Sequence, residues 1–143
     1  MPQTLEVSSS PVRAEAVRVP GFACTLRDGG LDAAWVHVVG ELDLATAPTL
    51  ELTLQQAEAR AQRVVLDLRE VTFIDSAGVH VIVNASIHAR AAGRRLVLVR
   101  GPTHIDRLFA LTRMAALLEI VDLDPAQPPV QALVELAQKD RAA

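Results

Sequence analysis

Aromatic side chains are scarce in this sequence of 143 residues, which contains three Phe, one Trp and no Tyr. Surfaces that bind sugars or stack against nucleic-acid bases depend on exposed aromatic rings, so this composition disfavours both kinds of surface. The core must instead be built from Val, Leu, Ile and Ala. A chain of this length, with an ordinary fraction of charged residues, is expected to form one folded domain.

Cysteine is also rare, and the net charge is small. The single cysteine, Cys24, cannot form an internal disulfide, which is typical of proteins in the reducing cytoplasm. The formal net charge is −3, and acids elsewhere balance Arg94, Arg95 and Arg100, so direct binding of nucleic acid is not expected. The sequence lacks a run of about 18 apolar residues and a basic start followed by an apolar stretch, so membrane insertion is not predicted. These features predict a cytoplasmic protein.

The sequence has no pattern that indicates a metal or a cofactor. His37, His80, His88 and His104, together with Cys24, do not show the spacing of metal ligands. A glycine-rich phosphate loop is absent as well. We therefore predict that the protein uses no metal and no cofactor.

Strand and helix patterns alternate after residue 20. Residues 1 to about 20 contain three prolines and no sustained period, and we interpret them as a mobile leader, with a terminal strand as the alternative. The predicted extended segments are residues 22–27, 35–39, 64–68, 71–74, 96–99 and 118–121. The predicted helices begin near residues 46, 76, 103 and 130. Residues 21–143 then form one α/β domain, in which helices cover a mixed sheet.

The helices differ in the faces that they are expected to bury. The first helix should begin after Thr46 and bury one stripe, formed by Ala47, Leu50, Leu54, Ala57 and Ala61. The second is apolar over most of its circumference, except for a polar strip of Ser76, His80, Asn84 and His88, and should end at Gly93. Thr103 and Asp106 resemble a capping box at the start of the third helix. The last helix should turn Val130, Leu133, Val134 and Ala137 inward.

Two short motifs indicate the family. Residues 40–48 (GELDLATAP) resemble the Gly-Glu-Leu-Asp segment that follows the second strand of STAS domains. Residues 73–82 (FIDSAGVHVI) resemble the Asp-Ser-small-Gly signature at the head of their second helix. The resemblance covers about residues 20–125, and it implies a STAS-type α/β sandwich with about four helices on a mixed sheet. The short length and the intact Asp-Ser pair most resemble the anti-sigma factor antagonists.

This resemblance implies a regulatory function without enzymatic activity. An antagonist of this type binds an anti-sigma factor that carries a histidine-kinase-like ATPase domain, and it thereby releases a sigma factor. Phosphorylation of the serine in the signature, here Ser76, ends the binding. The resemblance places Glu41 and Asp43 at the kinase-binding surface. The complete predicted surface consists of Glu41, Asp43, Asp75, Ser76, Ala77, Gly78 and His80. The oligomeric state stays open.

The residue types suit such a switch. A serine in the first turn of a helix lies near backbone N–H groups without intrahelical partners, so a phosphate on Ser76 should be tolerated there without unfolding the domain. Gly78 should let a partner backbone approach closely, because glycine has no side chain. Without the resemblance, Asp75 and Ser76 read as an ordinary helix cap, and Glu41 and Asp43 as loop acids, of which Asp43 also helps to cap the first helix.

Three positions depart from the family pattern, and one of them is Thr112-Arg113, where a Thr-Gly turn is common. His80 stands where a small residue is usual, and it is either a protonatable partner for a phosphate on Ser76 or an ordinary polar residue on an exposed strip. Ala77 replaces a second hydroxyl that many members carry, so Ser76 is the sole acceptor within the motif.

Two other functions compete with the antagonist. A serine at a strand-to-helix turn also occurs in the nucleophile elbow of hydrolases, but Ile74 stands where that motif requires glycine. The second rival keeps the STAS fold and makes the chain a scaffold of a stress-signalling complex or an accessory subunit of a lipid transporter, without use of the serine.

Overall fold

The computed structural model of the chain describes residues 14–142, which form a six-stranded sheet with four helices. The strands are β1 (Ala14–Val19), β2 (Phe22–Gly30), β3 (Ala33–Leu42), β4 (Arg63–Ile74), β5 (Arg95–Val99) and β6 (Glu119–Val121). The helices are α1 (Ala47–Arg60), α2 (Ser76–Ala91), α3 (Thr103–Leu111) and α4 (Val130–Ala142), with a short 3₁₀ helix at Ala115–Leu117. The predicted α/β sandwich with about four helices is therefore confirmed.

The sheet is mixed, as predicted, and its strands follow the order of the chain from β1 to β6. The first three strands pair antiparallel, and β3 to β6 pair parallel. Parallel neighbours need crossover connections, which α1, α2 and α3 provide. The carboxyl ends of β3 and β4 lie side by side, with Leu42 opposite Ile74. Both sequence motifs begin at this edge of the sheet.

Each face of the sheet has its own core. The larger core packs β2 to β5 against α1, α2 and α3, and the smaller one packs Val65, Val97 and Val99 against α4. The predicted buried stripe of α1 is confirmed for all five residues: Ala47, Leu50, Leu54, Ala57 and Ala61. The predicted inward face of α4 is wrong apart from Leu133, because the helix instead buries Ala132 and Leu136 and leaves Val130 and Val134 exposed.

The predicted leader extends too far. Residues 14–19 form β1, which pairs with β2 from Ala14 opposite Arg27 to Val19 opposite Phe22. An ion pair of 2.7 Å between Glu15 and Arg60 also ties this strand to the end of α1. The boundary at residue 20 is therefore wrong, and residues 1–13 lie outside the described residues.

Local irregularities explain three smaller differences from the sequence prediction. The two segments predicted at 64–68 and 71–74 belong to the single strand β4, whose register against β3 shifts between His37 and Val39. Asp28, Gly29 and Gly30 predict a turn from the sequence, but the hairpin turns at Leu31 and Asp32, which both have positive φ. The prediction of a capping box at the start of α3 is wrong, because the N-cap residue is Pro102 and the carboxylate of Asp106 pairs with Arg100 at 2.8 Å.

Arg69 fastens the segment between β6 and α4 to the sheet. Its guanidinium pairs with the buried carboxylate of Asp67 at 2.8 Å. The same guanidinium donates to the backbone carbonyls of Asp124, at 2.6 Å, and Gln127, at 2.8 Å. Asp67 and its hydrogen bonds hold the pKa of Arg69 above its ordinary value. The connection that leads to α4 thus depends on one side chain of β4.

Candidate functional site

Ser76 is the first residue of α2, and its side chain is exposed. The preceding residue, Asp75, is extended and acts as the helix N-cap. Its Oδ1 accepts hydrogen bonds from the backbone N–H groups of Ala77, at 2.9 Å, and Gly78, at 3.2 Å. Since Asp75 satisfies the donors of the first turn, the hydroxyl of Ser76 does not have to cap the helix.

Asp75 also joins the two motifs in space. Its Oδ2 accepts a hydrogen bond of 3.2 Å from the backbone N–H of Leu44, and its own N–H donates to the carbonyl of Leu42 at 3.1 Å. Leu42 and Leu44 belong to the GELDL segment, which runs from the end of β3 into the loop before α1. The start of α2 and the loop before α1 are therefore held together by one residue.

Asp43 shapes that loop from within. Its Oδ1 accepts hydrogen bonds from the backbone N–H groups of Ala45, at 3.0 Å, and Thr46, at 3.1 Å. The Thr46 hydroxyl accepts from the N–H of Asp43 and donates to the carbonyl of Glu41, both at 2.9 Å. Asp43 is only half-exposed, whereas the side chain of Glu41 is exposed. The two predicted acids therefore differ: Asp43 organises the loop that leads into α1, and Glu41 faces solvent.

Gly78 does not offer an open surface to a partner, and the role that we predicted for it is wrong. The residue is buried. A Cβ built there would lie 2.8 Å from Leu42 Cγ and 2.8 Å from Ile74 Cγ1. The missing side chain thus allows α2 to pack closely against the ends of β3 and β4.

The polar strip of α2 faces solvent as expected. His80, Asn84 and His88 are all exposed, and each lies one helical turn beyond the previous member of the strip that begins at Ser76. Ala77 is partly buried beside Ser76. Of the predicted surface, Glu41, Ser76 and His80 are thus exposed, while Asp43, Asp75 and Ala77 are partly buried.

Two exposed apolar side chains near Ser76 were missed by the sequence analysis. The side chain of Leu44 is 77% exposed, and that of Phe73 is 49% exposed. Leu44 lies in the loop that Asp75 holds, and Phe73 pairs with Glu41 at the end of the parallel ladder. The only available signal was an apolar residue within a polar loop motif, at Leu44. We call Glu41, Leu44, Phe73, Ser76 and His80 the Ser76 surface.

The part of the chain that the structure describes shows neither a metal cluster nor a membrane span. Residues 14–142 contain no cluster of three or more His, Cys, Asp or Glu side chains arranged to hold a metal ion. Within the same residues, no helix combines the length and the hydropathy that crossing a membrane requires. The described residues thus form a small α/β domain with an exposed serine at the start of α2 and two exposed apolar residues on neighbouring segments.

Comparisons with known proteins agree with this class. A family model described as "Mlab, STAS domain" matches residues 26–122, which is more than half of the chain. The anti-sigma-B factor antagonist of Listeria monocytogenes is 30% identical over 100 residues, which cover 69% of this chain and 88% of that protein. The chain therefore belongs to the STAS domain family and, within it, to the anti-sigma factor antagonists.

Solved structures agree on the fold. An anti-sigma factor antagonist from Mycobacterium paratuberculosis superimposes with a TM-score of 0.66 at 21% identity, covering 85% of this chain and 99% of that one. The Bacillus cell fate determinant SpoIIAA in its phosphorylated form gives a TM-score of 0.58 at 15% identity, with coverage of 84% and 99%. At these identities the likeness concerns the fold alone.

Proposed function

We propose that this chain is an anti-sigma factor antagonist that binds an anti-sigma factor through the Ser76 surface, and that phosphorylation of Ser76 ends the binding. The partner in this proposal carries a histidine-kinase-like ATPase domain that phosphorylates the chain. The chain itself is regulatory and catalyses no reaction. Its place of action is the cytoplasm, where such a kinase finds ATP and where Cys24, which is free and buried, stays reduced.

One observation carries the proposal: the Ser76 hydroxyl is exposed on a rigid helix start, directly beside the loop of the other motif. One oxygen of Asp75 accepts a hydrogen bond from the first turn of α2, and the other accepts one from the neighbouring loop. A kinase can therefore reach the hydroxyl without unfolding the cap. A docked partner also meets both motifs on a single preorganised surface, so binding requires little ordering of the chain.

The exposed apolar side chains supply contacts for binding. Interfaces depend on a few apolar and aromatic anchors that become buried at their centre. Leu44 and Phe73 are available as such anchors, since Leu44 lies in the loop that Asp75 holds and Phe73 lies three residues before Ser76. A partner that contacts Leu44 docks next to the start of α2, because Asp75 binds the backbone of Leu44, so the contact should be sensitive to a change at Ser76.

Phosphorylation changes this surface in a defined way. The Ser76 oxygen forms a bond to the γ-phosphorus of ATP, the bond to the β-phosphate oxygen breaks, ADP leaves, and the hydroxyl proton passes to a base of the kinase. The product carries about −1.5 to −2 charges at neutral pH. It would lie beside the carboxylate of Asp75 and near Glu41, so a partner fitted to a neutral hydroxyl meets added bulk and like charge. A differential loss of about 2.8 kcal/mol weakens binding roughly a hundredfold.

The test uses the full chain with a candidate anti-sigma kinase and ATP. Mass spectrometry should detect one added phosphoryl group, located on Ser76, and Ser76→Ala should abolish it while retaining partner binding. Thr103→Ala is a matched control, because Thr103 is also an exposed hydroxyl residue at the first position of a helix. Modification of Ser76→Ala to the same extent as the wild type would contradict the assignment.

A binding experiment separates the antagonist from the other STAS functions. Pull-down with the unmodified chain should recover the kinase, and preincubation with kinase and ATP should reduce that recovery. Recovery of membrane transport components, regardless of ATP, would instead identify an accessory subunit of a lipid transporter. Recovery of a large signalling assembly that does not respond to ATP would identify a scaffold.

The apolar contacts have their own test. We expect Leu44→Ala to weaken binding of the anti-sigma factor about tenfold or more in calorimetric titration, since buried anchors commonly contribute more than 1 kcal/mol. Leu111→Ala is the matched control, because Leu111 is 72% exposed on α3 and belongs to neither motif. Equal effects of the two variants on binding would show that Leu44 is not part of the interface.

A further inference from the structure

A pocket lies toward the opposite end of α2 from Ser76. It has a volume of about 370 Å³, and Ser86, Arg90, Arg94, Arg95 and Glu119 contribute its polar lining. This volume falls within the range of about 300–1,000 Å³ that is typical of small-molecule sites. Ser86 is ten residues beyond Ser76, which places it roughly 15 Å further along the helix axis. The pocket is therefore separate from the Ser76 surface.

Two donors at this pocket have no partner within the described residues. Ser86 is 7% exposed, and its Oγ is buried without a hydrogen bond. The Nε of Arg94 is buried and unbonded in the same way. Most buried polar groups in folded proteins are hydrogen-bonded, so two such donors on the lining of one pocket indicate a missing acceptor.

The charge of the pocket is positive. Arg95 is committed to carboxylates, since it pairs with Glu119 at 2.5 Å and with Asp140 at 2.7 Å. Arg90 donates to a backbone carbonyl of Leu117 at 3.3 Å, and no salt bridge within residues 14–142 involves Arg90 or Arg94. The two arginines thus contribute positive charge that no carboxylate in contact neutralises.

Glu58 on α1 is an acid whose carboxyl feels the charge of Arg94, which lies between α2 and β5. The positive field of Arg94 and His88 acts on its carboxyl, but burial dominates and raises the pKa of Glu58 above its ordinary value. One carboxylate oxygen of Glu58 is also buried without a partner, and no ion pair joins it to Arg94. Glu58 therefore does not supply the acceptor that the two donors lack.

We propose that this pocket binds a phosphate oxyanion. Arginine guanidinium groups and a hydroxyl are the donors that proteins use for such anions, and the planar fork of arginine matches their geometry. Arg94 and Arg90 provide the charge, and the hydroxyl of Ser86 donates to one oxygen. Leu117 adds an apolar wall that can contact the organic part of a phosphate monoester. This site does not depend on the function proposed for Ser76.

Calorimetric titration of the full chain tests the proposal, with inorganic phosphate and adenosine monophosphate as probes at constant ionic strength set by chloride. We expect saturable binding with one site, weakened at least tenfold by Arg94→Ala and several-fold by Ser86→Ala. Arg107→Ala, which removes an exposed arginine on α3, should leave the affinity unchanged. Tighter binding of adenosine monophosphate identifies a monoester as the ligand, whereas equal or weaker binding identifies the free anion.

Melting temperatures show whether a variant loses phosphate binding or has simply lost its fold. In chloride alone, Ser86→Ala should melt at the same temperature as the wild type or above it, because the variant removes a buried hydroxyl that has no partner. Phosphate should raise the melting temperature of the wild type and not that of Arg94→Ala. Binding that does not saturate, or equal losses in Arg94→Ala and Arg107→Ala, would overturn the proposal.

Discussion

At the scale of single residues, Asp75 has two structural tasks that a sequence motif cannot separate. One carboxylate oxygen caps α2, and the other holds the backbone of the loop before α1. The sequence allowed the capping task to be predicted, because aspartate before a helix is a common cap. The contact with Leu44 could not be predicted, since it joins residues 31 positions apart.

Removal of this carboxylate should therefore lower the free energy of unfolding by more than the loss of an ordinary helix cap does. We expect Asp75→Ala to lower the free energy of unfolding by about 1–3 kcal/mol, because it removes the cap and leaves three backbone donors without their acceptor. Urea denaturation measures the change. Glu41→Ala, at an exposed position of the same surface, should stay within about 0.5 kcal/mol of the wild type. Similar values for the two variants would show that Asp75 does not stabilise the fold.

Gly78 provides a second test at this scale. Alanine is usually favoured over glycine within a helix by about 1 kcal/mol. Here the added methyl group would approach Leu42 and Ile74 to 2.8 Å. We expect Gly78→Ala to be destabilising by about 1–3 kcal/mol, as in other overpacked cores, despite the better helix propensity. Thermal unfolding measures this, and a rise in melting temperature would contradict the tight packing of α2.

At the scale of elements, the sequence was informative wherever the periodicity was strong. The buried stripe of α1 follows the helical repeat, and the hydrophobic run of β5 is bounded by charged residues, so both could be predicted. The prediction failed where tertiary contacts determine the bounds or the orientation of an element. In the sequence, Arg69 and Glu70 separate two apolar runs. In the structure, both runs belong to the single strand β4, which continues past these residues with a shift in its register against β3.

The orientation of α4 depends on such a tertiary contact. Arg69 binds the carbonyls of Asp124 and Gln127 before the helix begins, and no local pattern reveals this connection. We expect Arg69→Ala to lower the free energy of unfolding by about 3–5 kcal/mol, because Asp67 is left as a buried carboxylate without its partner. Hydrogen exchange should become faster in residues 124–136.

Two further variants show whether this effect is specific. Arg107→Ala removes an exposed arginine from α3, and it should leave both stability and exchange nearly unchanged. The double variant Asp67→Ala, Arg69→Ala should be more stable than Arg69→Ala alone, since it leaves no unpaired buried charge. If the double variant is less stable than the single one, the buried charge is not the cause.

At the scale of the whole molecule, the sheet extends to one strand that the sequence did not indicate. The segment of β1 is short and follows residues without a sustained period, so the sequence predicts a terminal strand there only as the alternative to a mobile leader, and its pairing with β2 could not be predicted. Which apolar side chains stay exposed is also a property of the assembled fold. Leu44 and Phe73 resemble core residues in sequence, and only the packing of the helices leaves them at the surface.

The contribution of β1 can be measured by truncation. Relative to a chain that begins at Ala14, a chain that begins at Pro20 loses six strand residues and the ion pair between Glu15 and Arg60. We expect a lower melting temperature and a larger accessible area at β2, detected by faster hydrogen exchange in residues 22–27. Identical melting curves for the two chains would mean that β1 adds nothing to the domain.

The cap formed by Asp75 determines how an aspartate that mimics the proposed phosphoserine behaves. Aspartate at position 76 finds two of the first N–H groups of α2 already taken by its neighbour, so little stability can come from capping. Its charge instead adds to an existing carboxylate. Under the proposed function, an effect of Ser76→Asp on complex formation therefore comes from added bulk and charge repulsion at the Ser76 surface, and raising the salt concentration should diminish the repulsion.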